Sequence, residues 1–323
     1  MKNPELETEI ISERWQLARL NQETLVKWAL LAVAMGGLFV CFHYFGNTTM
    51  GYVARLQTHS VFIWIVQRWS DAAGDMSHGP FIPLASLFFI WLRRKEIAAA
   101  PRQVSNRGLA VVIGCLVLHW LGAKSQQTRL SLIALIGLSW GIPYYLCGWK
   151  TAKWLIFPCS YLLFAVPFNF LDSLTFPLRI MATIISEHLL QGLGLPIQRS
   201  GSAIYSLSAG GFAMDVADPC SGIRSLLAMT ALTAAYANLT QKGVVRQWGL
   251  FLMSIPLAIV GNIVRITSIA IVAEAFGEQL ALGLYHDYSS YILFSVSITL
   301  MVVMGYAMNV DWKGWIRQWI PET

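Results

Sequence analysis

Apolar residues fall in eight runs, at about 28–45, 79–92, 108–123, 130–147, 154–168, 221–239, 248–276 and 289–308. A helix needs about 20 residues to cross a bilayer, so the shorter runs must extend into flanking residues. The pattern predicts an all-α polytopic membrane protein with about eight transmembrane helices. The 248–276 run is too long for one simple span. Pro256, Gly261 and Arg265 interrupt it, which predicts a kink or a surface-lying second half. The organisation expected is a cytoplasmic segment at 1–27, one membrane-embedded domain at 28–308 and a cytoplasmic tail at 309–323.

Two segments between runs are long, 46–78 and 169–219. The second begins with an amphipathic helix at about 171–192, expected to lie on the membrane. Residues Ala203 to Val216 then alternate around Gly210-Gly211, which predicts a small β-hairpin. In that reading Tyr205, Leu207 and Ala209 share a face with Phe212, Met214 and Val216. The hairpin ends at Asp218-Pro219 and leads directly to Cys220.

Composition agrees with the pattern. The chain is 56% hydrophobic and 12% charged, against about a quarter charged in soluble domains. Its mean hydropathy is +0.55. The net charge of +6 reads as orientation rather than as a nucleic-acid partner, and none is expected. Most basic residues fall on one side if the N-terminus is cytoplasmic. They include Lys2, Arg14, Arg19, Lys27, Lys150, Lys153, Lys242, Arg246, Lys313 and Arg317. The Arg93-Arg94-Lys95 triplet directly after a run is the strongest marker. Both termini are therefore expected inside. Residues 1–27 are polar and carry both signs of charge, unlike a signal-peptide n-region, so the first run is read as a retained anchor.

Cys41, Cys115, Cys147 and Cys159 lie within or at the edge of apolar runs and read as small buried hydrophobes. No zinc spacing, disulfide framework or cofactor site is visible. Cys220 differs. It stands in Pro219-Cys220-Ser221-Gly222-Ile223-Arg224-Ser225, where a polar turn meets a membrane-length run. A thiol at a helix N-terminus is favoured as thiolate. In the topology above, Cys220 opens the sixth span, Arg265 follows most of the seventh and His286 precedes the eighth. All three then fall on the outer face. Thiol, guanidinium and imidazole are the parts of acyl transfer through a cysteine: nucleophile, oxyanion partner and acid/base.

Other residues can support them. The backbone N–H groups of Ser221 and Gly222 sit near a helix start. Arg224, one turn after Cys220, either supports the thiolate or pairs with Asp215 or Asp218. Asp287 is placed to orient His286, although adjacent helical residues do not normally face each other. Asp218-Pro219 has a plain structural reading as N-cap and first helical residue. An arginine in an apolar run costs about 2.5–3.5 kcal/mol near a helix centre, so Arg265 is expected to face protein or a water-filled cavity.

Several separated segments resemble the exosortase/archaeosortase family. They are Asp75-Met76-Ser77-His78-Gly79-Pro80 with Pro83-Leu84 and Trp91–Lys95, then Ala217–Leu226 around Cys220. Pro256–Ile259 with Asn262-Ile263-Val264-Arg265-Ile266 follows, and His286 completes the set. The resemblance covers about residues 60–308. It implies an integral-membrane cysteine transpeptidase, with Cys220 as nucleophile, Arg265 as electrostatic partner and His286 as acid/base. Asn262 and His78 join as supporting residues of the matched segments. The implied partners are membrane lipid, secreted proteins ending in a Pro-Glu-Pro-like motif, a transmembrane helix and a basic cluster (the PEP-CTERM type of signal), and a cell-surface acceptor such as a glycan or lipid. The implied location is a bacterial inner membrane with the site on the periplasmic face. Ser290 departs from the pattern, standing where a glycine commonly follows the histidine by four residues.

Two alternatives stay open. One is a membrane endopeptidase with water as acceptor. The other is a transporter or polysaccharide-assembly component, for which a repeat-related pair of broken helices is the expected sign; the sequence has no evident repeat.

Overall fold

The structure is a computed structural model and describes residues 29, 32–47, 58–70, 76–168, 170–208, 211–215 and 222–310, with backbone only at 170–175, 215, 222–225, 282, 284–287 and 289–290. Two compact units emerge, one of residues 1–67 with 96–155 and one of 68–95 with 156–323.

The elements follow the apolar runs. Helix α1 is Ala32–Tyr44, α2 Val61–Ser70, α3 Phe81–Leu92, α4 Arg94–Ala99, α5 Asn106–Lys124 and α6 Thr128–Cys147. Next come α7 Trp149–Tyr161 and α8 Phe170–Gly192, then strands β1 Ile197–Ser200, β2 Ala203–Ser206 and β3 Ala213–Asp215. The chain closes with α9 Gly222–Thr240, α10 Val244–Leu252, α11 Ser254–Phe276 and α12 Glu278–Asn309.

Among the described residues, four segments are long and apolar enough to cross a membrane: Asn106–Lys124, Thr128–Cys147, Val244–Phe276 and Tyr291–Asn309. Ala32–Tyr44, Phe81–Leu92 and Leu226–Thr240 are shorter apolar helices. Their outer surfaces suit hydrocarbon rather than water. On α3 alone, Phe81, Leu84, Leu87 and Trp91 are each more than half exposed. The protein is a membrane protein. The 154–168 run is not one helix: α7, with Pro158 inside it, gives way to a 3-10 turn at Leu162–Ala165.

In the first unit α5 and α6 form a tight antiparallel hairpin. A Cβ at Gly108 would meet the Tyr145 Cα at 2.5 Å, and one at Gly122 the Leu130 Cβ at 2.9 Å. Glycine there lets the backbones close, which is how helices associate in lipid. Buried polar groups pair within this unit. Thr128 Oγ1 donates to Asn47 Oδ1 at 2.5 Å, and His119 Nδ1 lies 3.1 Å from Ser131 Oγ.

In the second unit the long run breaks just before Pro256, one of the three residues expected to interrupt it. The break is at Met253, between α10 and α11. Pro256 explains it, because its ring removes one N–H and clashes with the carbonyl four residues earlier, at Leu252. Gly261 and Arg265 do not interrupt anything; α11 runs unbroken through both. The helix at 170–192 is present, yet it is not only a surface helix. Ala182, Thr183, Ser186 and Leu190 form a buried stripe, with Ala182 and Leu190 in one core with Ile266, Ile269 and Ala273 of α11. Met181, Ile185, Leu189 and Leu193 form the adjacent exposed stripe.

The hairpin is also present, with a different register and a third strand. The sheet order is β1-β2-β3, all antiparallel. Ile204 pairs with Met214 and Tyr205 with Ala213. The buried face is therefore Ile197, Ile204, Phe212 and Met214, not the face of Tyr205 and Leu207; Leu207 is 64% exposed. A turn centred on Gly210-Gly211 would pair 207 with 214. The observed pairing is slipped by an odd number of residues, and such a slip flips every side chain to the other face.

Candidate active site

Three helices of the second unit set the height of the polar residues. Helices α11 and α12 are antiparallel, joined at Gly277, whose φ of +91° closes the turn. Ser297 Oγ–H donates to the Leu257 carbonyl at 3.3 Å. A Cβ at Gly261 would sit 3.1 Å from the Leu293 carbonyl. Four residues up α11 thus match four residues down α12, and the next turn sets Arg265 level with Ser289. His286 lies three residues beyond, about 4.5 Å of helical rise.

Helix α9 runs parallel to α12. Thr233 Oγ1 donates to Met301 Sδ at 3.4 Å, and Asn309 Nδ2 to the Thr240 carbonyl at 3.5 Å. That offset of 68 to 69 residues, carried to Gly222, sets the first residue of α9 level with residues 290–291 of α12. The start of α9 and Arg265 are therefore level to within about two residues of α12, and His286 lies about one turn beyond Arg265 along α12.

Arg265 is 3% exposed and Asn262, one turn away on α11, is 6% exposed. Asn262 Oδ1 has no hydrogen-bond partner among the described residues. A guanidinium stays charged in such surroundings, so a fixed positive charge is held inside the unit. Cys220 and Ser221 lie outside the described residues. Gly222 and Arg224 are in the first turn of α9, and His286 and Asp287 are within α12. His286 precedes the apolar span Tyr291–Asn309, as expected, and lies in the same helix, which begins eight residues earlier.

His78 belongs to another neighbourhood, in the turn before α3. Gly79, next to it, packs on the Trp69 ring, and Trp69 Nε1–H donates to the Ala165 carbonyl at 3.0 Å. Both His78 ring nitrogens are buried without a hydrogen-bond partner among the described residues. Burial pushes this imidazole below its ordinary pKa, and the nearby Phe164 carbonyl acts weakly the other way.

A family model described as transmembrane exosortase matches residues 69–303. That is well over half of the chain, and it spans α9, α11 and most of α12. The chain belongs to the transmembrane exosortase family. No curated protein and no solved structure matches it.

One polar tie in this exosortase does not stand out in the sequence. Ser208 Oγ–H donates to Glu274 Oε1 at 2.5 Å, anchoring the loop after β2 to the end of α11. The signal for it is a carboxylate inside the 248–276 apolar run, which is costly unless it is paired. A second tie holds β1 to α8: Arg199 Nε lies 3.2 Å from Glu187 Oε2, and the Arg199 backbone N–H donates to Oε1 at 3.0 Å. The four other cysteines are free thiols, Cys159 buried and the rest half-buried.

Proposed function

We propose that this exosortase is a membrane cysteine transpeptidase. Cys220 attacks a peptide carbonyl of a secreted protein, within a C-terminal sorting signal made of a short motif, a transmembrane helix and a basic cluster. The thiol proton passes to His286. Arg265 balances the negative charge on the tetrahedral oxygen. Collapse breaks the C–N bond, His286 protonates the leaving amine, and the acyl group remains on sulfur as a thioester. An amine or hydroxyl of a cell-surface acceptor then attacks the thioester, His286 takes its proton, and the thiol re-forms. The site faces the periplasmic side of the inner membrane.

The observation that carries this reading is the buried Arg265, level with the His286 segment of α12 and with the start of α9. Cys220 stands two residues before Gly222, the first residue of α9, in the sequence. A buried cation has a direct use in acyl transfer, because it balances the charge that develops on the tetrahedral oxygen.

The test is a tagged sorting-signal protein expressed with wild-type enzyme or with Cys220→Ala. Processing is expected with the wild type and full-length substrate with the variant. Equal processing in both contradicts the cysteine mechanism. The mass of the mature C-terminus separates transfer from hydrolysis.

A further inference from the structure

The sheet leaves one edge open, on the strand nearest in sequence to Cys220. The order β1-β2-β3 makes β3 an edge strand. Ser206 N–H donates to the Phe212 carbonyl at 2.9 Å. Hydrogen-bonded and non-bonded pairs alternate in an antiparallel ladder. Ile204 and Met214 are thus the next bonded pair, and the N–H and C=O groups of Ala213 and Asp215 point away from β2. The other side of β2 agrees, because Leu207 N–H donates to the Pro196 carbonyl at 2.8 Å. Among the described residues nothing pairs with the outer edge of β3.

Unpaired donors and acceptors along an edge are a template for an extended chain. A small notch adjoins this strand, lined by Phe212 and Met214 with Ile269, Ala273, Glu278 and Ala281 of α11 and α12. Its space of about 10 Å³ takes one water-sized or methyl-sized group. From Asp215 the chain reaches Cys220 in five residues.

We infer that the free edge of β3 is the docking strand for the substrate. The extended segment of the sorted protein beside the scissile bond adds to the sheet as a fourth strand. Backbone hydrogen bonds to Ala213 and Asp215 hold it. One of its alternate side chains, a small one, enters the notch. The inference rests on the reading of Cys220 as nucleophile and deepens it by assigning a peptide-binding surface.

The test is an N-methyl scan of a synthetic substrate spanning the sorting motif and its helix, cleaved by purified full-length enzyme. Methylation at alternate backbone positions is expected to raise KM about tenfold, and at the intervening positions to leave it unchanged. A scan with no period of two overturns the docking strand. Ala213→Pro removes the outward N–H but spares the Ile204–Met214 pair. It is expected to raise KM while Cys220 alkylation by iodoacetamide keeps its rate. A wild-type KM in Ala213→Pro overturns the inference. The two readings fail separately. Cleavage by Cys220→Ala removes the nucleophile and leaves the period-two scan standing. A flat scan with an essential Cys220 removes only the docking strand.

Discussion

Gly261 of α11 lies so close to Ser297 of α12 that a Cβ at 261 would overlap the serine hydroxyl. This contact fixes the register that sets Arg265 level with the His286 segment. Gly261→Val forces the helices apart or shifts them, at about 1–3 kcal/mol for overpacking. The expected result is a lower thermal midpoint in detergent together with lost processing. At Gly283, on the same hairpin, no atom of the described residues lies within 4 Å of where a Cβ would stand. Gly283→Ala is expected to match or slightly exceed wild-type stability.

Arg265 carries a different prediction, about chemistry. Arg265→Lys keeps a positive charge but loses the planar fork of donors. Processing at matched protein levels is expected to fall by about 100-fold, as for loss of one oxyanion donor. Arg265→Met is expected to fall at least as far. Near-normal turnover in Arg265→Met would remove the guanidinium from the mechanism.

His78 predicts a pH dependence of stability. Its folded-state pKa lies below the ordinary value of 6.5 because the imidazole is buried. The unfolded chain therefore takes up the proton first as pH falls. The contribution to stability is complete above about pH 6.5 and declines below it, towards the folded pKa. Thermal unfolding at about pH 7.5 and about pH 5.5 measures this. His78→Gln is expected to show a smaller acid loss than wild type; an equal loss contradicts the assignment.

Much of this arrangement is legible in the sequence, and the differences have physical causes. The 108–123 and 130–147 runs mark α5 and α6 almost to the residue, because lipid-facing helices are apolar along their whole length. Strand β1 leaves no such mark, since Gln198, Arg199 and Ser200 carry no apolar alternation. The alternation at 203–216 reveals the hairpin but not its face, because Gly210-Gly211 mimics the centre of a tight turn. Arg265 is visible as a charge in an apolar run. The order of spans already puts Arg265 and His286 on one face; their residue-by-residue register is not legible, because it depends on Gly261 and Ser297 meeting across two helices.

The Ser208–Glu274 tie predicts a coupling between the hairpin and turnover. Ser208→Ala removes one hydrogen bond to a carboxylate, worth about 1 kcal/mol or somewhat more. Slower processing is expected, with a modest drop in thermal midpoint. Glu274→Gln retains an acceptor oxygen and is expected to recover most of the activity lost in Glu274→Ala. Equal activity in the Gln and Ala variants contradicts the tie.

The most direct measurement of the cysteine mechanism is the intact mass of the purified enzyme, acid-quenched during turnover of a sorting-signal substrate. The expected spectrum contains an adduct equal to the N-terminal portion of the substrate, mapped to the peptide containing Cys220 and released by hydroxylamine as a thioester. Cleaved substrate with no adduct on Cys220, together with continued cleavage by Cys220→Ala, would contradict it.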